Sequence, residues 1–151
     1  MKSEIPVDTV APRRLATLLT PTPKGAALGR RIARQQLTAW RINSLAEEPF
    51  HSALLIIAEL AANASTHGRV PGRRFELALA LTVDPHVLRI EVSDCRGDRH
   101  PVLPAVCAPN SRSGRGLTLI DALADRWGSD PRHPNAKTVW AELDLPAARA
   151  V

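Results

Sequence analysis

The chain predicts an α+β fold in which helices cover one face of a mostly antiparallel mixed sheet, and three observations carry that expectation. Apolar residues recur at helical spacing in two segments before residue 70 and in a third after residue 113. Between the second and third lie two runs that alternate or are β-branched, joined by a tight turn. An alternating run closes the chain, so the helices have a sheet to bury their apolar stripes against.

The elements follow in order. "MKSEIPVDTVAP" is broken by proline and aperiodic and reads as a flexible lead-in, as do residues 146–151 at the other end. "RRLATLL" fits a short edge strand before the "TPTP" turn. From Lys24 to Arg41, Ala27, Leu28, Ile32, Leu37 and Trp40 recur among Arg and Gln as on an amphipathic helix. "NSLAEEP" breaks it, and Pro49 opens a second helix, about Phe50 to Thr66, that ends at Gly68. "RRFELALALTV" and "HVLRIEVSD", with "DPH" between them, form an antiparallel hairpin. Cys95 to Ser113 is a long loop of the kind that makes lids or binding loops. "GRGLTLIDALADRWG" restores helical spacing through Leu117, Ile120, Leu123 and Ala124. Trp127 to Ser129 opens a strand, "DPRHPN" turns, and "AKTVWAELDL" alternates as the last strand.

At 151 residues the chain supports one sizeable core, so a single domain over residues 1–151 is expected. No apolar run is long enough to span a bilayer or stands behind basic residues as a signal peptide does, which points to the cytoplasm. Cys95 and Cys107 make neither a disulfide framework nor a CxxC pair and read as reduced bystanders, and the scattered histidines argue against zinc. The net charge of +5 invites a nucleic-acid reading. Against it, the arginines are spread over five stretches and aromatics make up 3% with no Tyr, which leaves no base-stacking platform. No direct nucleic-acid partner is expected.

Chemistry enters with "LLIIAELAANASTHGRV". At about 100° per residue, Glu59, Asn63 and Thr66 share a narrow stripe with His67 at its edge, opposite a core stripe of Leu54, Ile57, Leu60, Ala61 and Ala64. Leu55, Ile56 and Ala62 fall on the polar side too, so the helix is expected to be covered on both sides. Taken alone, Glu59 fits a surface ion pair with an arginine; one turn from an amide, it also fits a base beside a hydrated Mg²⁺ held through Asn63. "SGRGLTLIDAL" sets Gly114 and Gly116 at a helix start, where free N–H groups attract phosphate or simply make a tight turn. Asp94 ends its strand, as a turn residue or as an acceptor for an exocyclic amine such as adenine N6.

Taken together and in order, "ELAANASTHG", "VSDCRGD", "GRGLTLIDALADRWG" and "KTVWAEL" resemble the N box, the two glycine boxes and the last strand of the GHKL ATPase superfamily of gyrase, heat-shock chaperone, histidine kinase and mismatch-repair ATPases. The likeness spans about residues 24 to 145 and is nearest the small stand-alone bacterial relatives of anti-sigma-factor serine kinases. It implies a Bergerat-type two-layer sandwich that binds ATP with Mg²⁺. By the resemblance Glu59 is the general base, Asn63 the Mg²⁺ ligand and Asp94 the adenine acceptor. Ser113, Gly114, Arg115, Gly116 and Leu117 hold phosphate, and Thr138 supports Asp94 and the adenine through water. His67 contacts phosphate or caps its helix; a histidine placed well for the helix dipole is as consistent. The implied activity is transfer of a phosphoryl group to a serine on an anti-anti-sigma partner, combined with sequestration of a sigma factor, with a homodimer possible for the class.

One departure stands out. Where the family's first glycine box often reads DxGxG, this chain has Asp94-Cys95-Arg96-Gly97-Asp98, so Arg96 replaces a glycine and Gly97 is one residue out of step. Arg96 either narrows the pocket or pairs with the ligand. The second reading is therefore a binding module of the same fold without catalysis, acting as a regulator or scaffold.

Overall fold

Strands that alternate in phase make one sheet. The computed structural model describes residues 13–66, 70, 72–95, 112–132 and 136–147. Its elements are β1 (Arg13–Leu19), α1 (Pro23–Ala39), α2 (Ile42–Leu45), α3 (Glu47–Thr66), β2 (Phe75–Val83), β3 (His86–Asp94), α4 (Arg112–Leu123), β4 (Arg126–Arg132) and β5 (Ala136–Asp144). The five strands lie in the order β1-β2-β3-β5-β4. Every pairing is antiparallel. The sheet and four helices give the expected α+β sandwich, with its edges at β1 and β4.

One face of the sheet makes the core. Leu88, Ile90 and Val92 of β3 stand opposite Leu143, Ala141 and Val139 of β5, and all are buried. α3 lies over them with Phe50, Ala53, Ile56, Ile57, Leu60, Ala61 and Ala64 buried, and α1 and α4 pack against it. Ile56 and Ile57 are wholly enclosed. Burying an aliphatic side chain of that size contributes about 1.5–3 kcal/mol, so α3 is the main anchor of the helical layer. α1 approaches the sheet edge through glycines. A Cβ on Gly25 would stand 1.9 Å from the Thr20 carbonyl oxygen, and one on Gly29 would stand 2.7 Å from Leu19. Thr22 caps that helix by accepting from the Gly25 N–H at 3.0 Å.

The path of the chain sets which ends meet. Leu19 pairs with Phe75, Glu76 with Ser93, and Asp94 with Lys137, so these residues mark one end of the sheet. α1 starts there, four residues beyond Leu19, and runs to the far end, and α3 returns alongside it. Asp125 N donates to Glu142 O at the far end, where α4 hands the chain to β4. The last turn of α3 and the first turn of α4 therefore both face the Asp94 end.

Several boundaries differ from the sequence reading. α1 ends at Ala39, and Arg41 adopts a left-handed φ of 61° that turns the chain. The "NSLAEEP" break contains a turn of helix, α2, because Ile42 is pulled fully into the core. α3 begins at Glu47 and keeps Pro49 in its first turn, where a missing N–H costs nothing and Glu47 and Glu48 complement the helix dipole. α4 begins at Arg112, and β4 runs on to Arg132, so Asp130 and Pro131 belong to an edge strand instead of a turn. The flexible lead-in, His67, Gly68, Arg96, Gly97 and Cys107 lie outside the described residues. Among the described residues no helix is long and apolar enough to cross a membrane.

Among the described residues no helix covers the other face, which is laced by charge. Arg89 bonds Glu91 and Glu142, each at 3.0 Å, and Arg126 bonds Glu142 at 2.9 Å and Asp144 beside it. Arg89 also stacks over Trp140, 4.4 Å from its ring centre. Hydrogen bonds from Arg126, and then from Arg89, hold the Glu142 carboxyl below its ordinary value against the upward push of burial. A carboxylate with a lowered pKa stabilises the fold above its unfolded pKa, and that contribution is lost as pH falls through the folded value. Urea unfolding from pH 7 to pH 3 is expected to show stability falling below about pH 4.5. Glu142→Gln lowers stability at pH 7, and its gap from the parent chain narrows as the pH drops; a constant gap means that these ion pairs contribute nothing to the acid limb.

Candidate functional site

Of the residues singled out by sequence, Asp94 ends β3 on the face that α3 covers, and the C-terminal half of α3, with Glu59 and Asn63, runs toward the same end. Glu59 and Asn63 are half-buried; at about 100° per residue Glu59 falls away from the buried stripe of α3 and Asn63 falls at its edge, beside Ile56. The expected cover on both sides of this helix is not what the structure has. Ile56 turns wholly into the core, while Leu55 is 49% exposed and Thr66 is exposed. The reason lies in the width of the buried stripe, which takes in Ile56 and Leu60 as well as Ile57 and Ala61. Among the described residues no arginine forms an ion pair with Glu59. The ordinary reading of that carboxylate, as half of a surface pair, thus has no support there.

α4 presents its amino end to the same region. A helix leaves only its first few N–H groups outside its own ladder. With the helix starting at Arg112, those groups extend about as far as Gly114. Gly116 and Leu117 sit a turn further in, so their N–H groups belong to the helix and not to a ligand. Leu117 is 4% exposed, and its side chain packs into the core together with Ile120. The side chains of Ser113 and Arg115 lie outside the described residues. The N–H groups outside the helix ladder are those of the first turn, residues 112–114, which takes in Ser113 and Gly114 of the expected set Ser113, Gly114, Arg115, Gly116 and Leu117.

Asp94 is the last residue of β3 and is 7% exposed. It follows Leu88, Ile90 and Val92 in phase, so it faces the helices. Directly across the ladder stands Lys137, also 7% exposed, with its Nζ 3.8 Å from Asp94 Oδ2. Each group offsets part of the desolvation the other suffers; an unpartnered charge at this depth would cost several kcal/mol.

Thr138 requires a correction. It was expected to support Asp94, but it pairs with Ser93 one register step away. Successive side chains in a strand point to opposite faces, so Thr138 and Ser93 share the sheet face that carries no helix. Their hydroxyls bond each other at 2.7 Å. Thr138 lines that other face, and Lys137 takes the place beside Asp94. The signal was present in the alternation itself: Val139, Ala141 and Leu143 are the inward residues of β5, which puts Lys137 inward and Thr138 outward. Cys95 is half-buried and a free thiol. Among the described residues no three of His, Cys, Asp and Glu gather as a metal site would need.

A family model described as histidine kinase-like ATPase domain matches residues 25–143. No curated protein matches the chain. Among solved structures, the chain is similar to the crystal structure of the RsbU and RsbW domains of Rv1364c from Mycobacterium tuberculosis, with a TM-score of 0.62 and 21% identity. That likeness covers 92% of this chain and 35% of the other, so this chain spans about a third of the length of that relative.

The two hydroxyls on the helix-free face yield a stability test. Thr138→Val leaves Ser93, which is 9% exposed, without this bond, and thermal or urea unfolding should register a loss of about 1–3 kcal/mol. Adding Ser93→Ala should recover part of that loss. A double variant no more stable than Thr138→Val would show that the bond between the hydroxyls does not couple them.

Proposed function

Because the chain belongs to the histidine kinase-like ATPase domain family over residues 25–143, we propose that it binds ATP with Mg²⁺ at the Asp94 end of the sheet and phosphorylates a serine on a regulatory partner. What supports the reading is that the buried Asp94 ends β3 at the end of the sheet toward which α3 runs and from which α4 starts. The family match accounts for nucleotide binding. Transfer to a serine, and a partner of the anti-anti-sigma or sigma type in transcription control, rest on the likeness of the boxes to anti-sigma-factor kinases. The fold shared with a chain that holds RsbU and RsbW domains agrees with that partner class.

The chemistry each residue supplies follows from its place. Asp94 accepts a hydrogen bond from the exocyclic amine of the base, and the first turn of α4 directs its N–H groups at phosphate oxygens. Asn63 is half-buried, and its amide oxygen suits a metal that keeps several waters and takes few protein ligands. Mg²⁺ there would neutralise charge on the phosphates. Glu59, one turn earlier, orients the partner's serine hydroxyl and takes its proton as the oxygen attacks the terminal phosphorus, while the bond from that phosphorus to the bridging oxygen breaks and ADP leaves. In phosphoryl transfer such positioning and charge neutralisation supply most of the rate.

A second reading is a nucleotide-free binding module of the same fold. Arg96 in the first glycine box favours it.

Calorimetry with ATP and Mg²⁺ separates the two. The kinase reading expects micromolar binding, weakened at least about tenfold by Asn63→Ala or Asp94→Asn, a loss of roughly 1.4 kcal/mol or more. It also expects labelled phosphate on the serine of a cognate partner, and transfer but not binding abolished in Glu59→Ala. Binding without transfer would leave a nucleotide-sensing regulator. No binding at millimolar ATP would leave the scaffold.

A further inference from the structure

Lys137 is the residue at this end of the sheet that the proposed reaction leaves without a task. It lies on the helix-covered face at the first inward position of β5, where Val139, Ala141 and Leu143 continue the same row into the core. A lysine is an expensive choice for such a position, because burial disfavours its charged form and its long stem loses rotamer freedom. A nearby carboxylate offsets part of that cost, and Asp94 provides one directly across the ladder. At 3.8 Å the two are joined by charge and not by a hydrogen bond. Their side chains are 8% and 9% exposed, and the pair stands at the last rung of the β3–β5 ladder, at the Asp94 end of the sheet.

We propose that Asp94 and Lys137 act as one base-reading pair, with the Asp94 carboxylate accepting from adenine N6 and the Lys137 ammonium donating to adenine N1. The proposal rests on the nucleotide-binding reading above and goes beyond it by assigning the specificity of the base end to a second residue. Adenine presents a donor and an acceptor side by side on its Watson–Crick edge, N6–H and N1. A carboxylate beside an ammonium presents the complementary acceptor and donor, also side by side. The pair carries no net charge, which suits a neutral base better than a lone buried carboxylate would. The residue next in the strand cannot serve, since Thr138 points to the opposite face and bonds Ser93.

The test uses the full chain, Mg²⁺, and two nucleotides that differ at one atom: ATP and 1-deaza-ATP, in which N1 is replaced by a C–H. Dissociation constants are measured for the parent chain, for Lys137→Met, which keeps the stem and removes the donor, and for Lys137→Gln, which keeps a neutral donor. The parent chain is expected to bind ATP more tightly than 1-deaza-ATP by about tenfold or more, the scale of one hydrogen bond from a charged donor. In Lys137→Met the affinity for ATP falls by a similar factor and that for 1-deaza-ATP hardly moves, so the ratio collapses toward one. Lys137→Gln retains an intermediate ratio. A parent chain that binds both nucleotides within about threefold overturns the proposal while leaving the nucleotide site intact, and that comparison needs no variant to fold. An unchanged ratio in a folded Lys137→Met overturns it too and makes the lysine a structural counterion. A parent chain that binds neither nucleotide overturns both this inference and the nucleotide reading beneath it.

Discussion

α3 covers one face of the sheet, and the phase of the strands decides what is placed at its end. β3 and β5 pair in a register that sets Leu88 against Leu143, Ile90 against Ala141 and Val92 against Val139 beneath α3. A slip of one residue would turn all six outward and bring Arg89, Glu91, Trp140 and Glu142 under the helix. That exchange would strip the core of its central row and bury charges that now pair in the open, so the register is strongly held. The next pair in the row is Asp94 and Lys137. Their depth and their mutual approach are inherited from the packing behind them.

Helix packing then brings the remaining groups to that end. α1 is tied to β1 through Gly25 and Gly29, where no side chain fits, and α3 returns along it with its widest apolar stripe on the sheet. What is left outside that stripe and at its edge is a strip that includes Glu59, Asn63 and Thr66. This strip is polar because the core has no use for it. It ends near Asp94 because α1 and α3 form an antiparallel pair. The face of the sheet without helices has a different economy: there Arg89, Glu91, Glu142, Arg126 and Asp144 satisfy one another across the strands. Pairs so exposed are worth little singly, and their value lies in forming a connected ladder with shared partners.

Much of this was legible in the sequence, for reasons that can be named. β1 and the β2–β3 hairpin follow from alternation and from the "DPH" turn; both came out at their expected places because strand periodicity is short and the turn residues are unambiguous. Helix ends were less legible. α2 and the first turn of α3 depend on Ile42 and Phe50 reaching the core, which local pattern does not encode. At α4 the pair of glycines suggested a helix start, yet the helix begins at Arg112, since glycine in a first turn is tolerated once Leu117 and Ile120 anchor the helix from within. Glu59, Asn63 and Asp94 could be proposed for the site from motif order. Lys137 could not, because the motif directed attention to the neighbouring hydroxyl. Only the inward and outward phase of β5, read together with its register on β3, separates Lys137 from Thr138.

That one-residue distinction changes the physical character of the site. A hydroxyl beside Asp94 would leave a buried anion that needs water or a ligand to complete its shell. An ammonium beside Asp94 makes a salt bridge whose own stability is marginal, since desolvation of both ions opposes their attraction. Such a pair holds its place because the strands on either side are locked by the core, and removing one member is costly because the other stays buried. A ligand that offers a donor to the carboxylate and an acceptor to the ammonium restores to both ions part of the hydrogen bonding they lost with water, without separating them. Burial, charge and strand register thereby favour a neutral, two-edged partner over a simple cation or anion at this end of the sheet.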